Sequence, residues 1–117
     1  MKLSRVVLIA AVLGALALGA ASVWRGSAAT GRVIATQVRP GDIRMLGSET
    51  CVVCAVARVW FKANQVPYRE CVIERDPACR REFEAGGWSG TPVILVRGLP
   101  LLGFSPQQVQ DALAAPG

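Results

Sequence analysis

Between Val6 and Trp24 the chain runs for 19 residues without a charge, while beyond residue 42 its apolar positions come in strand-length runs or at helical spacing. These two regimes divide the molecule. As a helix the first would be about 28 Å long, close to the thickness of a bilayer's hydrocarbon core. Lys2 and Arg5 precede it. A positive start followed by a long apolar stretch reads as a signal peptide or a signal-anchor transmembrane helix over residues 1–29, delivering the rest of the chain out of the cytoplasm. Small residues at Ser27-Ala28-Ala29 and at Gly19-Ala20-Ala21 are two places where a signal peptidase would cut. Residues 30–41 have no strong pattern and read as a linker, leaving 42–117 as the folded domain.

Within that domain Ile43 to Leu46 is a short apolar strand, and Gly47-Ser48-Glu49-Thr50 is the loop that leads into a helix. Ser48 or Thr50 is its expected cap, and Glu49 suits the positive end of the helix dipole. Val52, Val56, Val59 and Ala63 recur at helical spacing beside a stripe of Val53, Ala57 and Trp60, so most of this helix is expected to be buried. Asn64 and Pro67 end it. Tyr68 to Ile73 is a second strand, and a strand-helix-strand unit of this length implies parallel pairing. Asp76-Pro77 opens the next helix, with Cys79 and Phe83 on one face, and Gly86-Gly87 stops it. Pro92 to Val96 is a continuous apolar strand that Gly98 turns back into Leu99 to Leu102. Pro100 makes that last arm an edge. Ser105 caps a final helix whose apolar side is Val109 and Leu113. The order β-α-β-α-β-β-α predicts an α/β domain with a small mixed sheet between helices.

Composition narrows the chemistry. The 117 residues include no histidine, which removes imidazole ligands, histidine general bases and Cys-His or Ser-His nucleophile pairs. The net charge of +5 belongs largely to the leader, because residues 30–117 hold 10 basic and 8 acidic groups. No basic stripe is present, so no nucleic-acid partner is expected. What remains is sulfur. Cys51 and Cys54 stand three apart at the start of a helix, where unsatisfied N–H groups and the helix dipole favour a thiolate, the form that attacks disulfides. Cys54, one turn further in, is placed to resolve the mixed disulfide. Cys71 and Cys79 are eight positions apart across a strand-to-helix reversal. A structural disulfide, two buried free thiols and a second redox-active pair are all open for them, and export raises the first.

Four features taken in order carry a resemblance: Cys51-x-x-Cys54 after the first strand, Val66-Pro67-Tyr68 before the second, Gly90-Thr91-Pro92-Val93, and Gly103-Phe104 before the last helix. Over residues 43 to 115 the chain resembles the glutaredoxin branch of the thioredoxin fold. The resemblance implies a three-layer fold with a four-stranded mixed sheet, and a thiol-disulfide oxidoreductase with Cys51 and Cys54 as catalytic residues. It also implies a cis Thr91-Pro92 peptide facing the dithiol, with Thr91, Pro92, Val52, Gly103 and Phe104 contacting substrate and Trp88 in an apolar docking patch. No resident cofactor or metal is implied. The Gly-Gly-x-Asp segment that holds glutathione in the family is replaced by Leu102-Gly103-Phe104-Ser105, which is similar to the glutaredoxin-like redoxins served by a thioredoxin-reductase-type donor. Glutathione as reductant, the direction of electron flow and the donor protein therefore stay open. The expected partners are protein thiols and disulfides, an electron-donor protein, and the membrane if the leader is kept. The expected location is the periplasm or another extracytoplasmic space. Two alternatives use the same fold or loop: Gly47 to Cys54 also resembles the loop of soft-metal chaperones that bind Cu(I), with Glu49 where those have Met, and a redox-inactive binding module needs no chemistry at all. A four-cysteine zinc site would want two close pairs, which Cys71 and Cys79 do not form in sequence.

Overall fold

The computed structural model describes residues 2–116; Met1, in the expected leader, and Gly117, at the expected domain's end, lie outside the described residues. Eight elements follow one another: α1 (Lys2–Gln37), β1 (Ile43–Gly47), α2 (Val52–Ala63), β2 (Arg69–Val72), α3 (Pro77–Ala85), β3 (Val93–Val96), β4 (Leu99–Leu102) and α4 (Pro106–Ala114). The sheet has the order β2-β1-β3-β4, with β1 and β2 parallel and the other pairs antiparallel. The predicted order and the edge position of the proline-bearing β4 are both found.

Strand periodicity sorts the core into two layers. Ile43 and Met45 of β1, with Ile94 and Val96 of β3, face Cys54, Ala57 and Phe61 of α2 and Val109 and Leu113 of α4. Leu46, Val93 and Leu95 point the other way, onto Cys79 and Phe83 of α3. Arg44 shares that second face and reaches Glu82 of α3 with both guanidinium nitrogens, at 3.0 and 2.7 Å. That bond holds the Glu82 carboxyl below its usual range, because it favours the charged form. Because β3 is covered on both faces, its sequence is apolar without alternation.

Two expectations need correction. The stretch expected to be a patternless linker is helical through Gln37, and its far end is part of the core: Ile34 is fully buried, with Ala35 and Val38 packed against the same layer. Ser27, Gly31, Ile34, Ala35 and Val38 are one helical stripe, hidden from a hydropathy reading because two of its members are small and polar or bare. The stripe Val52, Val56, Val59, expected to be buried, is instead the exposed side of α2. Periodicity identifies an apolar face but not what covers it, and this helix is apolar on both sides.

Arg97 ties the ends together. It sits with Gly98 in the two-residue β3–β4 turn, both with positive φ (49° and 87°), which suits the twist of a tight hairpin. Its guanidinium donates to the Leu113 carbonyl at 3.0 Å, the Gln37 carbonyl at 3.4 Å and the Asp42 carboxylate at 3.1 Å. It therefore satisfies carbonyls at the C-terminal ends of both α4 and α1. Asp42 also accepts the N–H of Arg39, and these bonds hold its carboxyl below the usual range.

Candidate active site

Cys51 is itself the N-cap of α2. Its backbone is extended (φ −91°, ψ 108°), and its sulfur accepts the N–H of Cys54 at 3.0 Å, the bond that a serine or aspartate oxygen makes at ordinary N-caps. Neither Ser48 nor Thr50 takes that place. Ser48 donates to the Glu74 carboxylate, which also accepts the N–H of Glu49 at 3.2 Å, so the loop feeding the cysteines is fastened to the segment after β2. The Ser48 hydrogen bond keeps the Glu74 carboxyl below its usual range. Arg75 pairs with Glu49 on the same loop.

Cys51 and Cys54 are joined as a disulfide, their Cα atoms 5.2 Å apart. Their exposure differs in a way that matters for chemistry. Cys54 is fully buried and Cys51 only partly so, which makes Cys51 the more accessible of the two to an external thiol or disulfide. The Thr91-Pro92 peptide is cis, as the resemblance implied. Leu46 pairs with Val93, so the exit of β1 lies beside the entry to β3 and the cysteine loop and Thr91-Pro92 share one end of the sheet. Gly103, with φ 78°, donates its N–H to the Pro92 carbonyl at 2.9 Å. Phe104 packs its ring 5.6 Å from Trp60 and 5.5 Å from Phe61 on α2. Pro92 and Gly103 thus lie at the end of the sheet from which the cysteine loop leaves, and Phe104 packs further along α2. Val52, next to Cys51, is exposed. Trp88 is placed elsewhere: it lies 6.3 Å from Phe83 in the α3 layer, on the opposite side of the sheet from Phe104.

Behind Cys54 is a pair that sequence reasoning missed. Arg58, one turn on, donates through Nε to both oxygens of Glu70 at 2.6 and 2.8 Å, and both side chains are largely sheltered. Gly47 makes room for it. A Cβ there would stand 2.9 Å from Glu70 Oε1 and 3.7 Å from Cys54 Sγ. The signal was in the register, since Glu70 pairs with Met45 across parallel strands, and register is not legible before strand pairing is known.

Cys71 and Cys79 form the second disulfide, with Cα atoms 6.0 Å apart, fastening α3 to β2. It belongs to the α3 layer while Cys54 belongs to the α2 layer, so the four sulfurs are not assembled into one site. Among the described residues no group of three or more His, Cys, Asp and Glu is arranged to hold a metal ion.

Residues 43–100 match the glutaredoxin family model. Two solved structures of the thioredoxin-like protein BC3987 are similar in fold. A threonine-to-alanine variant of it aligns with a TM-score of 0.56 and 25% identity over 63% of this chain and 96% of that one. The unsubstituted protein aligns with a TM-score of 0.53 and 25% identity over 60% and 97%. No functionally curated protein matches the chain. In both alignments nearly the whole neighbour is covered, and about as much of this chain is left over as α1 and its connection to β1 contain.

Proposed function

We propose that this chain, a glutaredoxin-family protein of thioredoxin-like fold by its match over residues 43–100, is a thiol-disulfide oxidoreductase held at the outer side of a membrane by α1. The observation that carries the activity is the asymmetry of the Cys51/Cys54 pair, one sulfur reachable at a helix N-cap and the other buried one turn below. In the reducing direction the Cys51 thiolate attacks one sulfur of a protein disulfide. A mixed disulfide forms and the other substrate sulfur leaves as a thiolate that takes up a proton. Cys54, after losing its own proton, then attacks Cys51 Sγ, closes the Cys51–Cys54 disulfide and releases the second substrate sulfur. Two electrons pass to the substrate. The unsatisfied N–H groups at the start of α2 favour the Cys51 thiolate at the first step. The same steps reversed oxidise a dithiol, and the potential of the pair relative to its partner sets the direction.

Thr91, Pro92, Gly103 and Phe104 are the residues assigned to contact the substrate; the cis Thr91-Pro92 peptide and the Gly103 N–H bonded to Pro92, at the end of the sheet where β1 exits to the cysteine loop, support that role. A protein donor rather than glutathione as the source of electrons is supported by Gly103-Phe104-Ser105 in place of a glycine pair and an acid. Anchoring is supported by α1, long and apolar enough to cross a membrane and unburied over that part. Its last turns are integral to the core, which fits retention of the helix better than its removal. Export is further supported by the Cys71–Cys79 disulfide.

Insulin reduction by the full chain with a dithiol donor tests the activity. Cys51→Ala should fall to the background rate, and Cys54→Ala should accumulate a mixed disulfide visible on a non-reducing gel. Full activity of Cys51→Ala would overturn the reading.

A further inference from the structure

Helices α1 and α2 touch in two places. Gly31 lies against Asn64, where an added Cβ would come within 2.1 Å of the side-chain oxygen, and Ser27 Oγ accepts from Trp60 Nε1 at 2.7 Å. From Asn64 to Trp60 is one turn of α2, and from Gly31 to Ser27 is one turn of α1 in the same sense. The two helices therefore run in the same sense and meet near the C-terminal end of α2, while α1 packs mainly against α4. One turn further back on each stand Val56 and Val23, which line a single groove of about 680 Å³ together with Ala28, Val52 and Val59. Trp60 also lines it.

The level of this groove follows from the charge pattern. The charge-free run of α1 ends at Trp24, and Arg25 is the first charge after it. If residues 6–24 occupy the hydrocarbon, Val23 is at its boundary, and Val56, on the other wall of the groove, faces the same boundary region. Val52 and the adjoining Cys51 lie about 6–8 Å further toward the bilayer, four and five residues nearer the start of α2. The outward side of α2 meets the requirement of such a position. Val52, Val56 and Val59 are 77%, 55% and 69% exposed, Ala55 and Ala63 lie between and beyond them, and the one arginine on the helix before Lys62 is turned away to Glu70. This apolar side is continuous, through the groove, with the lipid-facing surface of α1.

We infer that the bilayer covers this face: α1 holds the domain with the N-terminal end of α2 turned to the membrane, so that the valines of α2 rest among the lipid headgroups and upper acyl chains. Cys51, at the cap of that helix, then works within the interfacial layer of the bilayer, and the disulfides it meets are those in the membrane-proximal segments of other proteins. The inference rests on the anchored reading of α1 proposed above.

The test places a photo-crosslinking benzoylphenylalanine at Val12, Val56, Val59 or Gln107 of the full chain in nanodiscs of phosphatidylcholine and phosphatidylglycerol. Val12 reports the span itself, and Gln107, exposed on α4, reports water. Lipid adducts are expected at Val12, Val56 and Val59, with yields at the two α2 positions at least about five times that at Gln107. Adducts at Val12 but background yields at both α2 positions would overturn the inference while leaving the anchor intact. Chain-to-chain adducts of doubled mass at Val56 and Val59 would overturn it in favour of a second copy on this face. Loss of lipid adducts at Val12 as well would overturn the anchored reading and the inference with it. A second measurement needs no substitution: in the reduced wild-type chain, a maleimide carried on a lipid headgroup should alkylate Cys51. Reaction with a water-soluble maleimide and none with the lipid-borne one would overturn the inference.

Discussion

Arg97 supplies one side chain to three acceptors that belong to three different parts of the chain, α1, the α1–β1 connection and α4. Lysine cannot replace a planar fork that serves separate acceptors. Arg97→Ala and Arg97→Lys should both lower the melting temperature, the alanine variant by roughly 5 °C for a domain of this size, as read by circular dichroism. Equal melting of wild type and alanine variant would show that water replaces the guanidinium at no cost. Glu74 acts on the cysteine loop in a similar way through Ser48 and the N–H of Glu49. Its carboxyl is held below the usual range, so its contribution is present above the unfolded value of about 4 and disappears as pH falls through the lower folded value. Amides of the Gly47–Thr50 loop should lose hydrogen-exchange protection as pH drops below about 4, and Glu74→Gln should show that looser loop already at neutral pH. An unchanged loop in Glu74→Gln would sink this account. Legibility at this scale followed chain distance. The cap roles of Asp76 and Ser105 and the cysteine spacing depend on neighbours a few positions away and were readable. Arg58–Glu70, Arg97 and Ser48–Glu74 depend on contacts 12, 55 and 26 positions apart and were not.

Among the elements, α3 is the one with the weakest apolar hold, since its buried side is Cys79 backed by Phe83 alone. The Cys71–Cys79 disulfide closes a short loop around its start. Removing it as Cys71→Ser/Cys79→Ser should cost about 2–3 kcal/mol in denaturant unfolding, if the constraint on the unfolded chain dominates. The redox activity of the Cys51/Cys54 pair should survive in the fraction that remains folded, because the two pairs lie in different layers. Helix α2 is the opposite case, apolar on both its buried and its outward side. Phe61, fully buried and stacked 4.6 Å from Tyr68, anchors its inner side, and Phe61→Ala should cost about 3–5 kcal/mol in the same measurement. The fold class, the element order and the parallel β1–β2 pairing were legible because each element carries its own period and stop signals. The orientation of α2 was not, because a helix with two apolar faces gives no preference between them. The helical state of residues 30–37 escaped for the converse reason: a stripe of Ser, Gly, Ile and Ala is too small-sided to stand out until the partner helix is present.

For the whole molecule, 65 Å along its longest axis, the junction of α1 with the domain decides whether the apolar half is a tail or a component. Gly31→Leu would force Asn64 off the Trp60 carbonyl, its partner at 2.8 Å, and separate the helices. Overpacking of this kind should cost about 1–3 kcal/mol and raise the exposure of Trp60 to an aqueous quencher. Unchanged Trp60 quenching would mean that the two helices do not touch in solution. The chain should also stay in the membrane fraction through alkaline carbonate washing, and recovery in the supernatant would remove the anchor. The continuity of α1 through Gln37 has one further consequence. A domain on a loose tether sweeps a hemisphere and dilutes its reactive group through that volume, whereas a domain fixed to a stiff strut confines it to a thin shell at one height. With α1 anchored as proposed above, a partner whose cysteines lie at that height would meet a raised local concentration of the dithiol, and one whose cysteines lie well above it would meet a concentration near zero. Reach, set by the length of a single helix, would then act as the selectivity filter of the protein.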